Sequence, residues 1–136
     1  MRFSTRQVQE LAGIRREQLR HWKKVLPPLA GRDGRADTYS FDEALSLSLI
    51  AALVNQLGIP VSRLIAPSSD LFALMVETDA HTVSKMHLYV EPNGSIGTLK
   101  PAEVAAFAVV DVGQVFIRLK ESLGPDQLSQ LSLPLE

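Results

Sequence analysis

The sequence predicts an α+β fold, with short helices in the first half and a small strand-hairpin-helix module in the second. Three observations predict it. Ser4-x-x-Gln7 and Ser40-x-x-Glu43 are capping boxes that open segments with apolar residues at helical spacing. Met86–Val90 alternates like a strand and is followed by Asn93-Gly94, the strongest short hairpin signal. The charges are also split. Residues 1–40 hold nine of the fourteen Lys and Arg against four acids, a balance of +5, and residues 41–136 hold five against eleven, or −6.

The first helix follows from the Ser4 box, with Val8, Leu11 and Ala12 on one face and Gly13 as its stop. Ile14 is a core residue in the turn. A second helix over Arg15–Lys24 places Leu19 and Trp22 inward, with Arg16, Arg20 and Lys23 or Lys24 on the other side, and Pro27-Pro28 ends it. Two short helices joined by a glycine turn make a helix-turn-helix. Asp33-Gly34, flanked by Arg32 and Arg35, signals a hairpin that can act as a wing over residues 29–39. The Ser40 box opens the longest helix, in which Leu45, Leu49, Leu53 and Leu57 repeat every four residues up to Gly58. Val61–Ile65 predicts one short helix ended by Pro67.

After Pro67 the pattern changes. Leu71–Val76 reads as strand or helix, Ser95–Leu99 as the return of the hairpin, and Ala106–Val110 as a buried strand. Asp111 can cap a helix over Val112–Leu123 with Val115, Phe116, Leu119 and Leu123 inward, followed by Gly124-Pro125. The last eleven residues read as a loose tail. The division is therefore 1–66, a winged helix-turn-helix, and 67–136, a small module for dimerisation or for receiving a signal.

Length and composition narrow the class. A chain of 136 residues with 46% apolar content forms one ordinary domain or two small ones sharing a core. No apolar run approaches the ~20 residues of a membrane span, and Met1–Thr5 carries no signal-peptide apolar region. The expected location is cytoplasmic, at the nucleoid, and no membrane partner is expected. Cysteine is absent, which excludes disulfides, thiolate metal sites and cysteine nucleophiles. The basic N-terminal end points to nucleic acid or an anionic membrane, with a solvated basic face as the plain alternative.

Arginine suits nucleic acid because its fork pairs with guanine edges and with phosphates. The second helix offers Arg15, Arg16, Gln18, Arg20, His21, Lys23 and Lys24 for the major groove, and the wing offers Arg32 and Arg35 for the backbone. The start of the first helix, at Thr5, can hold a phosphate on its N–H groups. Trp22 faces inward and reads as core rather than a stacking platform, and His21 reads as phosphate contact or solvated surface. His81 and His87 lack a carboxylate pair and read as ordinary histidines rather than a metal site. Asp79, His81 and Ser84 lie too close in sequence for a triad. Gly94–Gly97 reads as a turn rather than a phosphate loop. No catalytic residue, metal or cofactor is expected.

The order of motifs resembles MerR-family regulators. The resemblance rests on Phe3-Ser4-Thr5, Val8, Leu11-Ala12-Gly13-Ile14, Leu19-Arg20-His21-Trp22, Leu26-Pro27-Pro28, Tyr39–Leu45 and Leu57-Gly58-Ile59. It spans about residues 3–65. It implies a winged helix that touches DNA through Arg16, Arg20 and His21 on the second helix and Arg35 on the wing, with Tyr39 as packing. His21-Trp22-Lys23 stands where the family shows two aromatics and a Glu, so this surface is more positive. Arg15 stands where a small polar cap is usual. Pro67-Ser68-Ser69 stands where the family continues into a long dimerising helix. The expected function is sequence-dependent binding of double-stranded DNA for transcription regulation, as a homodimer, with RNA polymerase or another protein as a further partner. The alternatives are an architectural or excisionase-like recombination factor and a protein-interaction adaptor.

Overall fold

The structure, a computed structural model, describes residues 2–30, 38–92, 95–99 and 108–123. Ser4 caps α1 (Thr5–Ala12): its hydroxyl accepts from the Gln7 N–H, and the Gln7 carboxamide accepts from the Ser4 N–H at 2.8 Å. Gly13 closes the helix at φ +69, the left-handed region where a Cβ is unfavourable. Then α2 (Arg16–Val25) runs to Leu26, and Pro27–Leu29 forms a single 3₁₀ turn. The predicted second helix therefore starts one residue late, with Arg15 as its cap residue.

Two features at the N-terminus escape the sequence pattern. Phe3–Ser4 is a two-residue strand, β1, antiparallel to β2 (Thr38–Tyr39), with Phe3 opposite Tyr39. The Arg2 guanidinium clamps this pair, donating to the Thr38 hydroxyl and carbonyl at 3.0 Å each. The chain thus leaves at Ala30 and returns at Thr38 beside the start of α1. The residues between them, with the expected Asp33-Gly34 turn, Arg32 and Arg35, lie outside the described residues, as do Asn93-Gly94, Gly124-Pro125 and the C-terminal residues.

Helix α3 (Phe41–Ala51) is the centre of the core. Its residues from Ala44 to Ala51 are all buried, and α1, α4 and α6 pack around it. A helix apolar on every side belongs inside. Ser46 and Ser48 are buried without penalty because their hydroxyls donate to the Asp42 and Ala44 carbonyls one turn back. The helix ends in a π-turn (Ala52–Gln56), where the Leu57 N–H donates to Ala52. This wider turn puts the repeat out of phase. Leu45, Leu49 and Leu53 are buried, but Leu57 is 41% exposed, against the expectation from its spacing.

The expected helix end at Pro67 is corrected. Val61–Arg63 is a 3₁₀ turn, and α4 (Ile65–Glu77) begins two residues before Pro67 and runs through it. A proline in the first turn removes only an N–H that has no intrahelical partner. Leu71–Val76 is accordingly helix, with Leu71, Phe72 and Met75 buried. The boundary at 66/67 falls inside this helix. At ~20 Å, from 1.5 Å per residue, α4 ends at Thr78, and Asp79 caps the short α5 (Ala80–Val83). The Thr82 N–H donates to the Asp79 carboxylate at 2.8 Å and holds its pKa below the usual value.

The second half adds an antiparallel sheet of order β4-β3-β5, built from β3 (His87–Val90), β4 (Ile96–Gly97) and β5 (Ala108–Asp111). Val90 pairs with Ile96 across the predicted hairpin. The buried strand expected at Ala106–Val110 is half-buried where it is described, in β5: Val110 faces the core and Val109 faces out. Residues 106 and 107 are not described. Asp111 caps α6 (Val112–Glu121) through the Gln114 N–H at 3.1 Å. Gly113 lies so close to α5 that a Cβ would collide with the Ser84 carbonyl. Val115, Phe116, Leu119 and Leu123 are buried as expected. The halves share one core. Phe41 packs edge-on against Phe116, centroids 5.7 Å apart, and lies 6.5 Å from Phe3.

Candidate nucleic-acid interface

Two helices and their turn position this surface. The Gly13 and Ile14 N–H groups both fold back on the Gln9 carbonyl, which turns the chain sharply into α2. Leu19 and Trp22 are 1% and 2% exposed and lock the inner face of α2 against the core. Burying side chains of this size contributes roughly 1.5–3 kcal/mol each, enough to fix which face looks outward.

With about 100° between successive residues, Arg16, Arg20 and Lys24 fall in a row along that outer face. All three are exposed, and among the described residues none of them has an ion pair. Arg15 and His21 are exposed on either side of the row. Lys23 is half-buried on its flank and Glu17 is the one acid of the helix. Glu17 sits in the first turn and the lysines in the last, the arrangement the helix dipole favours. At ten residues α2 is ~15 Å long and ~10–12 Å across, which suits a DNA major groove of ~12 Å.

Gln18 departs from the sequence expectation of an outward-facing reader. It is half-buried, and its carboxamide is engaged by other groups of the chain at the surface. Its Nε2 donates to Asn55 Oδ1 at 2.7 Å, and its Oε1 accepts from the Arg15 N–H at 3.1 Å. Arg15 has no acceptor on its side chain, so it cannot cap α2 itself. Asn55 is a functional candidate that the sequence pattern marks only as a polar break in an apolar run. Thr5 is half-buried as the first residue of α1. The Gln7 N–H is taken by Ser4, which leaves the N–H groups of Thr5 and Arg6 as the outward donors of that turn. Arg32 and Arg35 lie outside the described residues.

Beside this surface, between the end of α1, the π-turn and α6, runs a groove of about 510 Å³, lined by Ala12, Ser48, Asn55, Arg118, Leu119 and Ser122 among others. Among the described residues no three His, Asp or Glu cluster as metal ligands would. His87 lies 3.7 Å from Asp111, a pair within the sheet. Among the described residues no helix is long and apolar enough to cross a membrane.

The described geometry is an exposed basic row on the second helix of a helix-turn-helix, with the β1–β2 pair beside the first helix. Residues 3–66 match the family described as MerR HTH family regulatory protein. The matched stretch, 64 of the 136 residues, is similar to that family. The match ends in the first turn of α4. No curated protein and no solved structure matches the chain.

Proposed function

We propose that the protein is a transcription regulator that binds double-stranded DNA with α2 in the major groove. The observation that carries this reading is the row Arg16–Arg20–Lys24, exposed along the outer face of a helix whose inner face is locked in the core. Arg16 and Arg20 are the residues for base edges, because a guanidinium can pair with guanine through two parallel bonds. Lys24, Arg15, His21 and Lys23 supply phosphate contacts. A further phosphate fits the start of α1 at Thr5, where outward N–H groups and the helix dipole favour an anion. Arg32 and Arg35 on the wing would grip the adjacent backbone. Gln18 positions the helix instead of reading a base. The protein acts as a homodimer on an inverted repeat, and residues 67–136 supply the pairing surface or receive the signal. The family match supports DNA binding in transcription control as the general role. It is a binding function with no chemical step.

Selection of bound duplexes from a random DNA pool at near-physiological salt tests this. Enrichment of an inverted repeat is the expected result, and its half-site spacing reports how two copies pair. Unenriched binding that vanishes as salt rises would mean phosphate attraction alone, and would overturn the sequence-reading function.

A further inference from the structure

We infer that Asn55, on the π-turn of the central helix, is a specificity-determining positioning residue: through Gln18 it fine-tunes the rotation of α2 in the DNA groove, within the orientation that Leu19 and Trp22 fix. The inference rests on the DNA-binding function proposed for α2. Gln18 and Asn55 form a reciprocal amide pair, with Gln18 Nε2 donating to Asn55 Oδ1 at 2.7 Å and Asn55 Nδ2 donating to Gln18 Oε1 at 3.4 Å. The same Gln18 oxygen accepts the Arg15 N–H. Three polar contacts therefore converge on the first turn of α2, and two of them come from a residue 37 positions away. They supply the return half of a capping box, Gln18 accepting from the Arg15 N–H, and not the acceptor for first-turn N–H groups that Arg15 lacks.

The π-turn is what brings Asn55 there. A π-turn holds an extra residue and rotates the rest of the helix by about one residue's step, and the outward swing of Leu57 marks that shift. Asn55 also lines the groove whose other wall is α6.

Rotation matters more for base reading than for phosphate contact. A turn of α2 by ~20° at a side-chain radius of ~5–6 Å moves a guanidinium by ~2 Å, well outside the ~2.7–3.2 Å hydrogen-bond window. Phosphates line the groove and flexible arginines and lysines can follow them. Losing the tie should therefore weaken discrimination while non-specific affinity stays.

The test uses the full chain with two probes, the duplex enriched by selection and a scrambled duplex, plus far-UV circular dichroism and the thermal midpoint of each variant. Asn55→Ala is expected to bind the selected duplex about 3- to 10-fold more weakly, the worth of one or two net hydrogen bonds, with the scrambled duplex unchanged. Asn55→Asp keeps the oxygen that accepts from Gln18 Nε2 and is expected to retain discrimination. Gln18→Ala should behave like Asn55→Ala, and the double variant should be no worse than Gln18→Ala. If the wild type discriminates and Asn55→Ala discriminates equally, the positioning role is overturned and the DNA-binding function stands. Equal losses on both duplexes, tracking a lower thermal midpoint, would make Asn55 merely structural and overturn the role as well. A wild type that binds both duplexes alike overturns the sequence-reading function and this inference with it.

Discussion

Helices α2 and α6 are each ten residues long, and each buries one apolar face in the same core, yet their outer faces are unlike. Outside, α2 carries Arg16, Arg20 and Lys24 in a row, while α6 carries Gln114, Ile117, Arg118 and Glu121, a mixed face with one base and one acid. Their starts differ too. Asp111 caps α6 in the ordinary way, whereas α2 begins at an arginine and is held by Gln18 and Asn55. The inner faces obey packing rules common to any amphipathic helix. The outer faces and the starts are where function enters, and α2 gives up a good cap in favour of a further exposed positive charge.

The largest expected effect tests the common core. Phe116 lies on α6 and packs on Phe41, so Phe116→Ala should destabilise the whole molecule by about 3–5 kcal/mol, the usual range for a buried phenylalanine. Trp22, the single tryptophan, reports on α2 by fluorescence. Its unfolding midpoint should fall together with the circular dichroism signal in denaturant titrations. A Trp22 transition left where it was would mean that the halves unfold apart.

Next in size is the contrast between the outer faces. Arg16→Ala and Arg20→Ala should each weaken binding to a selected duplex by about 1–3 kcal/mol. Stability should stay within ~0.5 kcal/mol, as for most surface changes. Arg118→Ala on α6 should change neither. If Arg118→Ala weakened binding as much as Arg16→Ala in the same titration, the basic row would have no special place and α2 would not be the reading helix.

How far each feature can be read from sequence depends on its range along the chain. Ser4, Ser40 and Asp111 act within one turn, so their caps read directly from sequence, and the inward faces at Leu19 and Trp22 or at Phe116 and Leu119 come from periodicity alone. That same periodicity puts Arg16 and Arg20 outside. Gln18 looks in sequence like one more outward polar residue because its partner lies 37 positions on, beyond any local pattern. The two-residue β1 is too short to show alternation, and its pairing with Thr38–Tyr39 is again a distant contact. Pro67 misleads for a local reason: whether a proline ends or opens a helix depends on where the first turn lies, and Ile65 opens α4 two residues before it.

The contrast between the two helix starts gives a smaller pair of effects of opposite sign. Asp111→Ala should cost about 1 kcal/mol by removing the acceptor for the Gln114 N–H. Arg15→Ser should stabilise by about 0.5–1 kcal/mol, since a serine hydroxyl can accept from the third residue of the helix. Chemical denaturation measures both. The same Arg15→Ser protein should bind DNA more weakly, since the phosphate contact proposed for Arg15 is gone. A variant with no gain in stability would mean that a hydroxyl at this position does not reach the Gln18 N–H.

The smallest effect concerns the third helix start, that of α3, which lies between these two in the core. Burial, with the neighbouring Glu43 charge second, raises the Asp42 carboxyl above its usual 3.8. The folded state thus holds the proton more tightly than the unfolded chain does. The stabilisation from that proton is fully present below pH 3.8 and is lost as pH rises through the higher folded value. At neutral pH the ionised Asp42 is therefore a small liability, partly offset by its place in the first turn of α3, where the helix dipole favours an acid. Asn in its place keeps the shape and never ionises. Asp42→Asn should raise the thermal midpoint slightly at pH 7, and the difference should shrink to nothing as the pH falls below 3.8. A variant less stable than wild type at pH 7 would mean that the dipole outweighs burial at this position, and α3 would then join α6 as a helix whose acid at the start is an asset.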